Sequence, residues 1–164
     1  MLPQSIYTIT HSIKTDSAGN VYVTCGNMLY DFDTAYPNGY YTTIYPPNIT
    51  LVKYNSSGTI QWQRTLTCDP RDSGATGIAG ITIDSSDNVY LTTTLLVSSI
   101  PNILLTKYNS SGTIQWSRTL GNASYQSLSS GVSTDTSGNV YLIGSTNATN
   151  NKSKLIIAKY NSSG

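Results

Sequence analysis

Glutamate is absent from these 164 residues, and histidine and phenylalanine occur once each. Without Glu, a carboxylate pair for glycoside cleavage has to come from Asp alone. A single imidazole leaves His11 as the only base of its type for a serine or cysteine hydrolase, and no Gly-x-Ser-x-Gly elbow accompanies it. Charged residues make up only 10% of the chain, and a net charge of +1 gives no basic field for phosphate backbones, so nucleic acid is not an expected partner. No apolar run approaches the length of a membrane span. Met1-Leu2-Pro3-Gln4 lacks the basic and apolar regions of a signal peptide, so a secreted form would need another export route, a removed leader or lysis. Only two cysteines are present, Cys25 and Cys68, and their spacing is not that of a zinc knuckle.

What the chain does have is tyrosine, 13 of them, among many Ser, Thr and Asn, a composition that favours strands over helices. It also has a repeat. Lys53-Tyr54-Asn55-Ser56-Ser57-Gly58-Thr59-Ile60-Gln61-Trp62, with Arg64-Thr65-Leu66 behind it, returns from Lys107 to Trp116 with Arg118-Thr119-Leu120. Its first half returns again from Lys159 to Gly164. A second phrase, Asp16-Ser17-Ala18-Gly19-Asn20-Val21-Tyr22-Val23, recurs from Asp84 to Leu91 and from Asp135 to Leu142. Both are turns that feed strands. Asp, Ser, Asn and Gly close tight hairpins, and the Gly of the Ser-Ser-Gly turn is expected in the left-handed conformation.

The fold class that follows is all-β. Strands are predicted near 7–14, 20–25, 49–55 and 59–66, then 77–83, 88–95, 102–108 and 113–120, then 128–134, 139–145 and 154–160. A repeat of about 50 residues holding four antiparallel strands is the signature of a β-propeller blade. The chain divides into blade 1 at 1–66, with an insertion at 26–48, blade 2 at 67–120, and an incomplete blade 3 at 121–164 that lacks its fourth strand. Three blades do not close a ring, for which at least about four are needed. The expectation is a fragment of a longer propeller, or a subunit that completes its ring with copies of itself through an open blade edge. Two copies would make six blades.

At these residues the chain resembles the SBBP repeats of surface proteins, a family named for the seven-bladed propeller. The resemblance rests on Asp-x-x-Gly-Asn-Val-Tyr-Val, on Ala158-Lys159-Tyr160-Asn161-Ser162-Ser163-Gly164, and on Gly-Thr-Ile-Gln-Trp-x-Arg-Thr-Leu. It implies a propeller fold and says little about activity, because propellers host many functions. The Gly-x-x-x-Trp spacing at Gly58 to Trp62 and Gly112 to Trp116 also resembles the docking motif of quinoprotein propellers, with a shorter turn before the Gly. The sialidase Asp-box does not fit.

Candidate sites emerge once the recurring residues are subtracted. Asp16, Asp84 and Asp135 recur as turn residues and Asp87 lies in a turn, which leaves Asp31, Asp33, Asp69 and Asp72, all in the long connections of blade 1. If those connections converge, four carboxylates offer oxygen ligands to Ca²⁺; the plainer reading is solvated loop acids, and no other cofactor is expected. Cys25 and Cys68, placed at the ends of strands two and four, are either a disulfide or two free thiols. Strands two apart lie about 9.6 Å from each other, which favours a bridge only if the loops bend inward.

The insertion at 26–48 holds Tyr30, Phe32, Tyr36, Tyr40, Tyr41 and Tyr45 among prolines, and it makes the first repeat 17 residues longer than the second. Tyr30, Tyr36, Tyr40, Tyr41 and Tyr45 are the candidates for glycan stacking or a protein partner; packing on the blade itself is the alternative. Seven sequons, at Asn48, Asn55, Asn109, Asn122, Asn147, Asn151 and Asn161, lean toward an extracellular or virion surface. The functional expectation is a noncatalytic module of a surface, filament or virion assembly, with a carbohydrate-binding module and a fragment of a propeller enzyme as alternatives.

Overall fold

A computed structural model describes residues 5–31, 42–66, 78–97, 100–121, 125–147 and 152–164. Eleven strands fill them, and no helix occurs among the described residues. Blade 1 is the sheet β1 (Ser5–Thr15), β2 (Val21–Asp31), β3 (Thr42–Tyr54) and β4 (Ile60–Leu66), in that spatial order. Blade 2 repeats it as β5 (Ile78–Ile83), β6 (Val89–Val97), β7 (Ile100–Tyr108) and β8 (Ile114–Leu120). Blade 3 holds β9 (Ser127–Thr134), β10 (Val140–Asn147) and β11 (Ser153–Tyr160). Every neighbouring pair is antiparallel, as expected for up-and-down blades.

The first hairpin of each blade is locked by its aspartate. The Asp16 carboxylate accepts from the backbone N–H groups of Ala18 and Asn20 (3.0 and 2.9 Å), from Asn20 Nδ2 (2.8 Å) and from the Tyr22 hydroxyl (3.0 Å). Asp84 and Asp135 do the same for Ser86, Asn88 and Tyr90 and for Ser137, Asn139 and Tyr141. Burial pushes the Asp16 and Asp84 carboxyls up, but the hydrogen bonds outweigh it and leave both below the usual value. The second hairpin uses Asn instead: Asn55 Oδ1 accepts from Ser57 N and Thr59 N (3.1 and 2.8 Å), and Asn109 and Asn161 repeat the contact. Gly58, Gly112 and Gly164 take the expected left-handed φ of 84°, 78° and 84°.

Between sheets the strands contribute two faces of different composition. Tyr22, Ile49 and Leu51 of blade 1, with Trp62 and Leu66, bury against Ile81, Val89, Leu91 and Tyr108 of blade 2. The opposite face of blade 2, with Tyr90, Ile103, Leu105, Trp116 and Leu120, buries against Val140, Leu142, Val132, Ile156 and Tyr160 of blade 3. Alternation along each strand therefore serves two cores at once.

The first blade departs from expectation. Strands two and three are predicted at 20–25 and 49–55, but β2 and β3 run on into the insertion and pair there, with Asn27 opposite Asn48, Leu29 opposite Tyr45 and Asp31 opposite Thr42. Pro46 and Pro47, which suggest a loop, fall where the register shifts between Asn27 and Leu29, and a bulge spares them the ladder bonds they cannot donate. The insertion thus begins and ends as a ribbon extending the sheet, rather than as a loop. Cys25 for the same reason lies inside β2, between Thr10 and Thr50, and does not end the strand.

The turn carboxylates give a pH signature. Hydrogen bonds, that from Asn139 foremost and against a smaller effect of burial, hold Asp135 down from 3.8 to about 2. Its contribution is full above the unfolded value and is lost as pH falls through the folded one. Urea unfolding between about pH 5 and about pH 2 should show stability falling with acidity, and Asp135→Asn should flatten part of that slope. An unchanged slope in the variant would show that this turn is not a source of the acid sensitivity.

Candidate functional site

The most elaborate arrangement of side chains lies between blades, built from the recurring residues. Trp62 Nε1 donates to the Ser110 carbonyl (3.1 Å), Lys53 Nζ donates to the same oxygen (3.2 Å), and Arg64 reaches the Gly112 and Ser111 carbonyls (2.6 and 3.3 Å). One blade later Trp116 and Lys107 both donate to the Ser162 carbonyl (3.3 and 3.0 Å), and Arg118 Nε donates to the Gly164 carbonyl (2.8 Å). Blades 1 and 2 thus each grip the Ser-Ser-Gly turn of the next blade with three donors. The turn can be gripped because its internal bonds use Asn Oδ1 and the Gly N–H, leaving the middle carbonyls free to accept.

The donors are held in place from behind. Lys53 sits 5.0 Å from the Tyr22 ring centroid and 3.6 Å from Asp16, and Lys107 and Lys159 sit over Tyr90 and Tyr141 at 5.3 and 5.2 Å. Arg64 and Arg118 lie over the indoles of Trp62 and Trp116 at 5.4 and 5.5 Å. Burial first, and then the bond to Asp16 or Asp84, pushes the Tyr22 and Tyr90 hydroxyls well above the usual range, so they remain proton donors. Trp62, Trp116, Arg64 and Arg118 thus lie between blades, and Asp16, Asp84 and Asp135 close the turns in which they recur. Asp87 also accepts from the Ser17 hydroxyl at 3.2 Å, tying the first turns of blades 1 and 2 together.

Among the residues singled out for chemistry, Asp33, Asp69, Asp72, Cys68, Tyr36, Tyr40, Tyr41, Asn122 and Asn151 lie outside the described residues. Tyr30 and Asp31 close β2 and Tyr45 lies in β3, so the backbone brings Tyr30 opposite Thr43 and Tyr45 opposite Leu29 on one ribbon. Cys25 is a half-buried free thiol whose pKa burial raises, which makes it a poor nucleophile. His11 is exposed on β1, at the register shift between Thr10 and Ser12. Among the described residues no three His, Cys or Asp side chains come together as metal ligands.

The sequons divide by position. Asn109 and Asn161 stand in the gripped turns, with Asn161 exposed, and Asn55 stands in the equivalent turn of blade 1; Asn147 is exposed at the end of β10, and Asn48 lies in β3 opposite Asn27. What sequence reasoning missed is the role of Lys53, Lys107 and the Ser-Ser-Gly carbonyls. Recurrence marked these residues, but the partner of each is about fifty positions away and belongs to another sheet.

Sheets of up-and-down strands stacked through a repeated clamp define a β-propeller repeat protein. Residues 115–150 match the model of the SBBP family, described as a β-propeller repeat. No curated protein matches the chain.

The clamp makes the two glycine turns unequal. A Cβ on Gly112 would lie 2.8 Å from the Trp62 indole, whereas one on Gly58 would meet nothing within 4 Å. Gly58→Ala should cost about 1–2 kcal/mol for the left-handed backbone alone, and Gly112→Ala a further 1–3 kcal/mol or so for displacing the indole. Equal costs in chemical denaturation would mean that the turn does not lie against Trp62.

Proposed function

We propose that this chain is a noncatalytic, extracellular propeller module that serves as a structural or adhesive part of a cell-surface, filament or virion assembly. The observation that carries the reading is where its chemistry has gone. The recurring Asp, Tyr, Lys, Trp and Arg side chains are spent on turns and on the grip between blades, leaving the described blades as a scaffold. The sequons and the low charge accord with an exported setting.

Intact source cells or particles treated with a membrane-impermeant amine reagent should label this protein at exposed lysines that include Lys14, Lys152 and Lys154. Labelling that requires lysis would place the protein inside and overturn the reading.

A second reading, carbohydrate binding, is favoured by the paired ribbon of β2 and β3 that carries Tyr30 and Tyr45 toward the rest of the tyrosine-rich insertion. Tyrosine presents a flat apolar face and a hydroxyl, both suited to a sugar ring. On a glycan array the intact protein should then bind at least one glycan class and lose it on combined Tyr40→Ala and Tyr41→Ala substitution. Silence across the array would count against it. Ca²⁺ held by Asp31, Asp33, Asp69 and Asp72 would strengthen such a site, and chelation would then weaken binding.

A further inference from the structure

The two internal blade interfaces are copies of each other, and each end of the stack presents one half of the same interface uncovered. On the face of blade 2 that meets blade 3, Ile103 and Leu105 are 0% and 1% exposed; at the equivalent positions of blade 3, Leu155 and Ile157 are 73% and 68% exposed. Ile143, paired across the ladder with Ile157, is another exposed apolar residue of that face, and Tyr141, equivalent to the fully buried Tyr22 and Tyr90, is only half-buried. At the other end, Ile13 of blade 1 is 64% exposed where its equivalent in blade 2, Ile81, is 2% exposed. Val21 and Val23 are half-buried where Val89, Leu91, Val140 and Leu142 are closed over.

The polar half of the interface is also in place. Lys53 and Lys107 each stand over a tyrosine and donate to a Ser carbonyl of the next blade. Lys159 stands over Tyr141 in the same pose, exposed and with no such carbonyl before it among the described residues. The matching acceptor, the Ser56 carbonyl, belongs to the one Ser-Ser-Gly turn that no described blade grips, and Gly58 beside it is exposed where Gly112 is buried.

We propose that blade 3 of one chain packs head to tail on blade 1 of a second copy, with Tyr141, Ile143, Leu155 and Ile157 covering Ile13, Val21 and Val23, and with Lys159 donating to the Ser56 carbonyl. The occupant is argued from continuity: the surface each end presents is the one its own neighbour inside the chain is built to cover. The contact is heterologous, so two copies close a ring if the rotation allows and otherwise continue as a filament. It is weaker than an internal interface, because the described third sheet holds no counterpart of Trp116 and Arg118. The proposal gives the assembly of the preceding section its partner and rests on that reading only for its setting.

The test is the native mass of the purified chain by light scattering across a range of concentrations, with circular dichroism to show that each variant is folded. The wild type should rise with concentration from 17.7 kDa to a multiple of it. Ile13→Asp and the double variant Leu155→Asp with Ile157→Asp, both altered at exposed positions, should each remain monomeric. An equimolar mixture of the two should recover a two-chain species, because it leaves one interface intact, which a symmetric face-to-face dimer would not do. Lys159→Met should weaken association about tenfold. A wild type that stays monomeric at every concentration would overturn the proposal and assign the faces to another occupant, such as a further blade of a longer polypeptide; variants that still associate, or a mixture that does not, would overturn it as well. None of these outcomes depends on where the protein resides, so the labelling result and the mass result fail separately.

Discussion

The donation of three side chains to the carbonyls of a neighbouring turn is the interaction on which the stack depends. A β-sheet satisfies its own backbone within its ladder, so face-to-face packing of two sheets is otherwise governed by apolar contact, which is tolerant of sliding. The Trp, Lys and Arg donors remove that tolerance. Their acceptors are backbone oxygens of a turn whose position is set by the Asn and Gly within it, and the indole lies flat against the glycine where any side chain would intrude. Register between blades is therefore fixed by hydrogen bonds of defined geometry, while the hydrophobic layers supply the driving force.

The clamp also explains why the recurring charges are tolerated in a buried setting. Lys53 and Lys107 are 9% and 8% exposed, and an ammonium so placed needs compensation. Each finds a tyrosine face, a turn carbonyl and, for Lys53, the Asp16 carboxylate. The same aspartate closes the first hairpin and orients the tyrosine. Local turn chemistry, intrablade aromatic packing and interblade hydrogen bonding are thus linked through the Asp and Tyr of one recurring phrase and the Lys of the other, which meet within one blade.

A scaffold of this kind commits its distinctive residues to itself and places its variation elsewhere. In this chain the variation is the extension of blade 1. The insertion is carried on paired strands, with a register shift where Pro46 and Pro47 lie. Blades 1 and 3 each also present an exposed apolar face, composed of residues such as Ile13, Leu155 and Ile157 whose equivalents Ile81, Ile103 and Leu105 are buried.

Repetition made the fold legible. Period-two alternation between turns of fixed composition identifies eleven strands, and the spacing of the two phrases groups them into blades, because hairpins are local structures set by neighbouring residues. Recurrence likewise separated structural Asp16, Trp62 and Arg64 from candidates for chemistry. The strand extension past Cys25 was not legible, since whether Pro46 and Pro47 break a strand or sit in a bulge depends on the partner strand's register. Nor was the grip of Trp62, Lys53 and Arg64 on Ser110, Ser111 and Gly112, or the exposure of Leu155 beside the burial of Ile103. Those are properties of what lies opposite a residue in space, about fifty positions away in the chain, and only the stacking of whole sheets decides them.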